Sequence, residues 1–225
     1  MKTAIIVAMD KELALMLPLI EDRAEVAIGD FTYHTGRIGR HEVVVGKCGI
    51  GKVNAALGAA AMLDTFHPAL MINSGVAGGT GVGEPALKPL DVVMPDEVAY
   101  HDVWCGPGTT PGQASGFPAA FRCPLPPRMR EEIGARGGLL ASGDVFVTGD
   151  EAIARVLATQ PRAVAVDMES GALAQTCHTR GVPFVCLRVV SDVPGEGGNI
   201  AAYENFWADA PERTFQAVEK LLELL

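Results

Sequence analysis

The chain has 225 residues, 48% of them hydrophobic and 20% charged, enough for one domain with a sizeable buried core. Its formal net charge is −9 at pH 7 and it shows no clustered Lys/Arg patch, which argues against nucleic acid as a partner. The five cysteines (Cys48, Cys105, Cys123, Cys177, Cys186) are odd in number and scattered, and no C-x-x-C occurs; a disulfide framework or zinc site is not expected, and a reducing cytoplasm fits.

Thr3 to Met9 reads as a first buried strand. It is too short for a signal-peptide core, it runs straight into Asp10-Lys-Glu12, and no apolar run approaches the length of a membrane span. Residues 10–20 predict a helix that must end early or kink at Pro18. Residues 24–46 predict two or three strands with Gly29, Gly36 and Gly39 at the turns. A helix over 50–66 is ended by His67-Pro68, followed by buried strands at 69–73 and 90–94. Gly106 to Pro127 is rich in Gly and Pro and reads as a long loop. Beyond it, 128–136 predicts a helix, 139–148 a strand, 150–158 a helix and 163–166 a strand. Residues 168–180 predict a helix stopped by Gly181, 183–190 a strand and 208–225 an amphipathic C-terminal helix. Strands separated by helices imply a mixed or parallel sheet with helices on both faces.

Carboxylates beside apolar runs point to a pocket. Glu169, in Val166-Asp-Met-Glu169, and Asp192, after Leu187-Arg-Val-Val-Ser191, sit at the ends of predicted core elements. Ionised carboxylates are seldom fully buried without a partner, so the pair suggests a polar ligand; a helix cap and a turn are the plainer alternative. Glu12 follows the first strand, where ligands bind in parallel α/β sheets and a carboxylate can act as general base; favourable charge at a helix start is its alternative reading. Within the cluster Asn73–Gly83, Gly78-Gly-Thr-Gly-Val-Gly83 nearly matches a dinucleotide fingerprint, but Glu84-Pro85 stands where a helix should open. A tight strand-to-loop turn that lets backbone approach a small ligand fits better.

These segments together resemble a known family. Ala8-Met9 with Glu12, Gly49-Ile-Gly-Lys-Val-Asn-Ala-Ala56, Gly75-Val-Ala-Gly-Gly79, Ser142-Gly-Asp-Val-Phe146, Val166-Asp-Met-Glu169 and Ser191-Asp192 fall in the order and spacing of the 5′-methylthioadenosine/S-adenosylhomocysteine nucleosidases, of the purine nucleoside phosphorylase superfamily. The resemblance implies an α/β single-domain three-layer fold over 1–225, with a central mixed, partly barrel-like sheet flanked by helices. It implies a hydrolase acting on a small-molecule nucleoside, with no metal or organic cofactor, and a cytoplasmic homodimer. Asp192 would be the acid on adenine, oriented by Ser191. Glu12 would activate water, and Glu169 would hold the ribose hydroxyls over Met168. Val147 would bond the adenine edge, with Phe146 and Tyr203 against the base, and Ile50, Ala77 and Gly78 lining the pocket. The small-residue face of the 50–66 helix (Ala55, Ala56, Ala59, Ala60) suits a dimer contact or an internal one equally.

Two departures stand out. Val76 replaces a hydroxyl residue common in the family near the water, and the chain diverges at Trp104, so that the following loop with Phe117 either reshapes the 5′ end of the pocket or, for Trp104, packs at a dimer interface. A phosphorylase needs arginines around phosphate; residues 1–22 and 69–90 contain none, which favours water as nucleophile. A hydrolase of another 5′-substituted adenine nucleoside, such as aminofutalosine, shares the same carboxylates, and a non-catalytic sensor would have no need of Glu12.

Overall fold

A computed structural model of the protein describes residues 1–194, 198–209 and 212–225. Its architecture follows from alternation along the first strand. β1 (Lys2–Val7) sends Ala4 and Ile6 into one hydrophobic cluster and Ile5 into another on the opposite face, the two-residue period of a strand. The first cluster is closed by α2 (Lys52–Phe66) and α5 (Ser170–Arg180), through Ala55, Ala59, Met62, Leu173 and Cys177. The second is closed by α1 (Asp10–Met16), α3 (Pro127–Ile133) and α7 (Arg213–Leu224), through Met16, Met129, Val218 and Leu221. Helices on both faces of one sheet make three layers.

Along the chain follow β2 (Glu21–Ile28), β3 (Phe31–Ile38), β4 (His41–Lys47), β5 (Leu70–Gly79), β6 (Val92–Val93), β7 (Glu97–Tyr100) and β8 (Phe121–Arg122). After α3 come β9 (Leu139–Ser142), α4 (Gly149–Thr159), β10 (Ala163–Asp167), β11 (Phe184–Asp192) and α6 (Asn199–Asp209). The sheet runs β2-β3-β4-β1-β5-β10-β9-β7-β8, and β11 pairs with β5 and β6 off that path. β5 is the branch point. It lies parallel to β1 and to β11 and turns its last residues antiparallel to β10, so that Gly78 faces both Val166 and Asp192. That branching curves the sheet and brings the ends of β10 and β11 to one place.

The element boundaries differ from expectation where glycines or long-range pairing decide. Gly36 lies inside β3 rather than at a turn, because a Cβ there would overlap the Glu21 carbonyl and Ile20 of the neighbouring strand. The expected strand at 69–73 continues through the glycine cluster to Gly79, and the turn comes afterwards at Gly81 and Gly83, both with positive φ. The expected strand at 139–148 stops at Ser142, leaving Phe146 and Val147 on a loop. The Gly106–Pro127 stretch contains β8 and packs Phe117 and Phe121 against His178, with ring centroids 6.0 and 5.6 Å away. β11 extends two residues further than expected, taking Ser191 and Asp192 into the sheet. The expected C-terminal helix at 208–225 is α7, and α6 (Asn199–Asp209) before it was not expected. Other punctuation is as expected: α1 gives way to a 3-10 turn at Leu17–Leu19 around Pro18, His67 closes α2 with φ +48°, and Gly181 closes α5 with φ +66°.

Half of the small-residue face of α2 is internal, Ala56 and Ala60 being only partly buried. Ala55 and Ala59 are fully buried within the chain, whereas Val53 and Leu57 of the same helix are 69% and 57% exposed. Ala59→Leu is therefore expected to overpack the α2–α5 contact and to destabilise the fold by about 1–3 kcal/mol, while Thr65→Lys, at an exposed position of the same helix, stays within about 0.5 kcal/mol. Urea unfolding midpoints of the two variants check this.

Candidate active site

Glu12 owes its place to a helix start. At the third position of α1, its Oε2 accepts the backbone N–H groups of Ala8 and Met9, each at 2.9 Å, which satisfies donors a helix leaves free. The carboxyl is 3% exposed. Burial pushes it up from the usual carboxylate range, opposed by the Arg188 guanidinium and backbone donors that include Val76.

β11 carries two of the site's charged groups. The β5–β11 register sets Arg188 opposite Gly75 and, after a bulge at Ser191, Asp192 opposite Gly78. Gly75 has no room for a side chain: a Cβ would overlap Arg188 Nη1 and lie 2.7 Å from Glu12 Oε1. Arg188 is 1% exposed. Its Nη2 contacts Asp167 Oδ2, Asn73 Oδ1 at 2.5 Å and Ser170 Oγ at 3.0 Å, and stands 3.7 Å from Glu169 Oε2. Among the described residues its Nε has no partner. Asp167, the last residue of β10, also accepts the Ser170 hydroxyl and N–H.

Glu169 caps α5 and is 6% exposed. Its Oε1 accepts the Gly51 N–H at 3.1 Å, one of the free donors at the start of α2. Burial and the neighbouring Asp167 carboxylate push it up to about 7, against the pull of Arg188. Asp192 is 4% exposed. Its Oδ1 accepts the Ser191 hydroxyl at 2.7 Å and its Oδ2 the Asn199 amide at 3.0 Å. Burial raises it, and those two donors partly offset the rise.

These groups line one cavity of about 630 Å³, open mouth included. The structure brings all of the expected residues to it: Glu12, Glu169 and Asp192, with Ile50, Ala77, Gly78, Phe146, Val147, Met168, Ser191 and Tyr203. Phe146 and Tyr203 meet edge to face at 5.4 Å across the mouth. Gly78 is hemmed in by Pro194 and Val166, 3.1–3.2 Å from where its Cβ would be. Val76 lines the cavity too, with an apolar side chain. Trp104 and Phe117 do not line this chain's own cavity; Trp104 is 65% exposed.

Arg188, Asp167 and Asn199 were not anticipated as site residues. The absence of arginine from residues 1–22 and 69–90 holds, yet β11 delivers Arg188 to the pocket from elsewhere. Its signal was present: an arginine within the otherwise apolar Leu187-Arg-Val-Val190 must be buried and so must have a partner. The partner, Asp167, lies 21 residues away. Among the described residues four carboxyl groups thus line a cavity that holds a single guanidinium, an arrangement that suits a neutral ligand developing positive charge and repels an anion.

Residues 2–223 match the family model of the Phosphorylase superfamily, the class of α/β protein that this branched sheet and cavity define. The chain is 38% identical to the 5′-methylthioadenosine/S-adenosylhomocysteine nucleosidase of Geobacillus thermodenitrificans (strain NG80-2), over all of this chain and 98% of that protein. It superposes on the S-adenosylhomocysteine nucleosidase of Streptococcus pyogenes, solved with 5-methylthiotubericidin, with a TM-score of 0.91, at 34% identity over 100% of this chain and 97% of that one. The Colwellia psychrerythraea nucleosidase bound to adenine gives the same TM-score and identity, covering 100% of this chain and 96% of that one. The chain belongs to the 5′-methylthioadenosine/S-adenosylhomocysteine nucleosidase family.

Removing Arg188 leaves Asp167 buried without its counter-charge. Arg188→Met is expected to cost about 3–5 kcal/mol of stability, read as a lower urea midpoint at neutral pH.

Proposed function

We propose that the protein hydrolyses the N-glycosidic bond of 5′-methylthioadenosine, S-adenosylhomocysteine or both, releasing adenine and the thio-ribose. The observation that carries this reading is the pairing of two buried carboxyls, Glu12 and Asp192, in one cavity with distinct partners. Asp192, raised by burial and held by Ser191 and Asn199, protonates or hydrogen-bonds adenine at N7 as the bond to C1′ breaks. Glu12 orients and deprotonates the attacking water on the opposite sugar face, the two-carboxyl logic of inverting glycoside hydrolysis. Glu169 accepts the ribose 2′- and 3′-hydroxyls, with Met168 beneath the sugar. The Val147 backbone meets the adenine edge, Phe146 and Tyr203 cover the base, and Ile50, Ala77 and Gly78 shape the walls. Arg188, already committed to Asp167, serves as counter-charge to the carboxyls around it. One guanidinium among four carboxyls is a poor seat for phosphate, which supports hydrolysis over phosphorolysis.

The enzyme acts as a homodimer in the cytoplasm. Ile50, Val53, Leu57, Trp104, Val145 and Phe146 are all 47–69% exposed, and Ile50, Val145 and Phe146 rim the pocket; exposed apolar groups in such number mark an interface. A second copy would cover them. All five thiols are free, in keeping with a reducing compartment, and cell fractionation would test the location. Among the described residues no helix is long and apolar enough to cross a membrane.

Incubation with methylthioadenosine, with and without phosphate, tests the activity. Adenine and methylthioribose should appear at a phosphate-independent rate. Strict dependence on phosphate with a sugar 1-phosphate product would mean a phosphorylase, and no cleavage would direct attention to other 5′-substituted adenosines such as aminofutalosine. Glu12→Gln should keep nucleoside binding and lose about 10²–10⁴-fold in kcat, and Asp192→Asn should lose a similar factor. For the dimer, Leu57→Glu is expected to shift the mass measured by light scattering from two chains to one; an unchanged mass would remove this face from the interface.

A further inference from the structure

We propose that Asn199 is a positioning residue for the acid: its side-chain amide holds Asp192 and the Val147 carbonyl together and stabilises the carboxylate that forms when Asp192 releases its proton. This rests on the nucleosidase reading above, and it assigns a role to a residue outside the motifs that carry the family resemblance. Asn199 Nδ2 donates to Asp192 Oδ2 at 3.0 Å and approaches Val147 O at 3.4 Å. The side chain is 93% buried, being 7% exposed, yet it is not among the residues that line the cavity. It therefore reaches the acid from behind, leaving the ligand-facing side of both acceptors free.

The placement is stiffened by the element that carries it. Asn199 is the first residue of α6, and one turn on, Tyr203 lines the cavity. Lys11 of α1 bonds Tyr203 Oη at 3.2 Å and sits 3.8 Å above the Trp207 ring. The helix is thus tied to α1 through its middle and to Asp192 through its start. Asp192 divides its two oxygens, Oδ1 to Ser191 and Oδ2 to Asn199. Among the described residues the groups facing it are Ser191 of β11, Asn199 and Tyr203 of α6, and Ala77 and Gly78 of β5. Glu12, Glu169, Asp167 and Arg188 share the cavity.

The chemistry follows from what an amide can do. In the reaction the C1′–N9 bond breaks, its electron pair goes to the base, and the Asp192 proton moves to N7 while water supplies the oxygen at C1′. The developing carboxylate is a stronger acceptor than the neutral acid. A fixed N–H donor that cannot titrate therefore favours the transfer, and it restrains the carboxyl rotation that would misaim the proton. Burial opposes the charged form, and Asn199 and then Ser191 work against burial.

Asn199→Ala in the full-length enzyme, with methylthioadenosine as substrate, tests this. The expected result is a fall in kcat of about 10–100-fold with KM little changed, and a basic limb of the pH–rate profile moved to higher pH, since the acid now holds its proton longer. Asn199→Ser, too short to span both acceptors, should show the same direction if the alanine variant folds poorly. Lower kcat with an unmoved basic limb would reduce Asn199 to scaffolding. Tighter adenine binding with undiminished kcat would overturn the idea in another way, making the amide an occupant of the exocyclic amine's place. A ¹³C titration of the Asp192 carboxyl, wild type against variant, separates this inference from the one beneath it. An unshifted titration overturns the role of Asn199, whereas a shifted one in an enzyme that leaves methylthioadenosine intact overturns only the nucleosidase reading.

Discussion

The buried pair of Arg188 and Asp167 is the constraint around which the rest of the site is arranged. A guanidinium cannot shed its proton and is costly to bury alone, so β11 places it only where a carboxylate, an amide and a hydroxyl converge. Those partners come from β10, β5 and α5, which ties three strands and a helix to one cation. Gly75 is the corollary, because any side chain there would displace the guanidinium or Glu12. The same cation moderates the burial penalty on Glu12 and Glu169, partly offsetting the rise that burial imposes on both.

The carboxyls are kept distinct by what each receives. Glu12 takes backbone donors from the chain just before α1, Glu169 takes the start of α2, and Asp192 takes a hydroxyl and an amide. Burial raises all three, and a different set of donors opposes the rise at each. The apolar rim of Phe146, Tyr203 and Ile50 lowers the local dielectric and strengthens each of these interactions.

Much of this was legible in the sequence because it is local. The order of strands and helices, the break at Pro18, the stops at His67 and Gly181, and the carboxylates beside apolar runs all depend on neighbours within a few residues. The motifs around Glu12, Glu169 and Asp192 carried the family resemblance for the same reason. What escaped was set by pairing across the chain. Gly36 reads as a turn until its neighbouring strand is seen to fill the space of a Cβ, and the glycine cluster reads as a turn until β11 and β10 claim it as strand. The alanine face of α2 was ambiguous between a partner and the core, and the packing of α5 settles it for Ala55 and Ala59, while Ala56 and Ala60 stay partly exposed.

The sequence by itself therefore determined the class of fold, most of the element order and which carboxyl side chains would meet in a pocket, since hydrophobic period and short motifs are properties of adjacent residues. Only the tertiary structure decided that Arg188 pairs with Asp167, that Gly75 must stay bare and that Asn199 stands behind Asp192. Each of these depends on a distance between residues far apart in the chain, and the branch at β5 sets those distances.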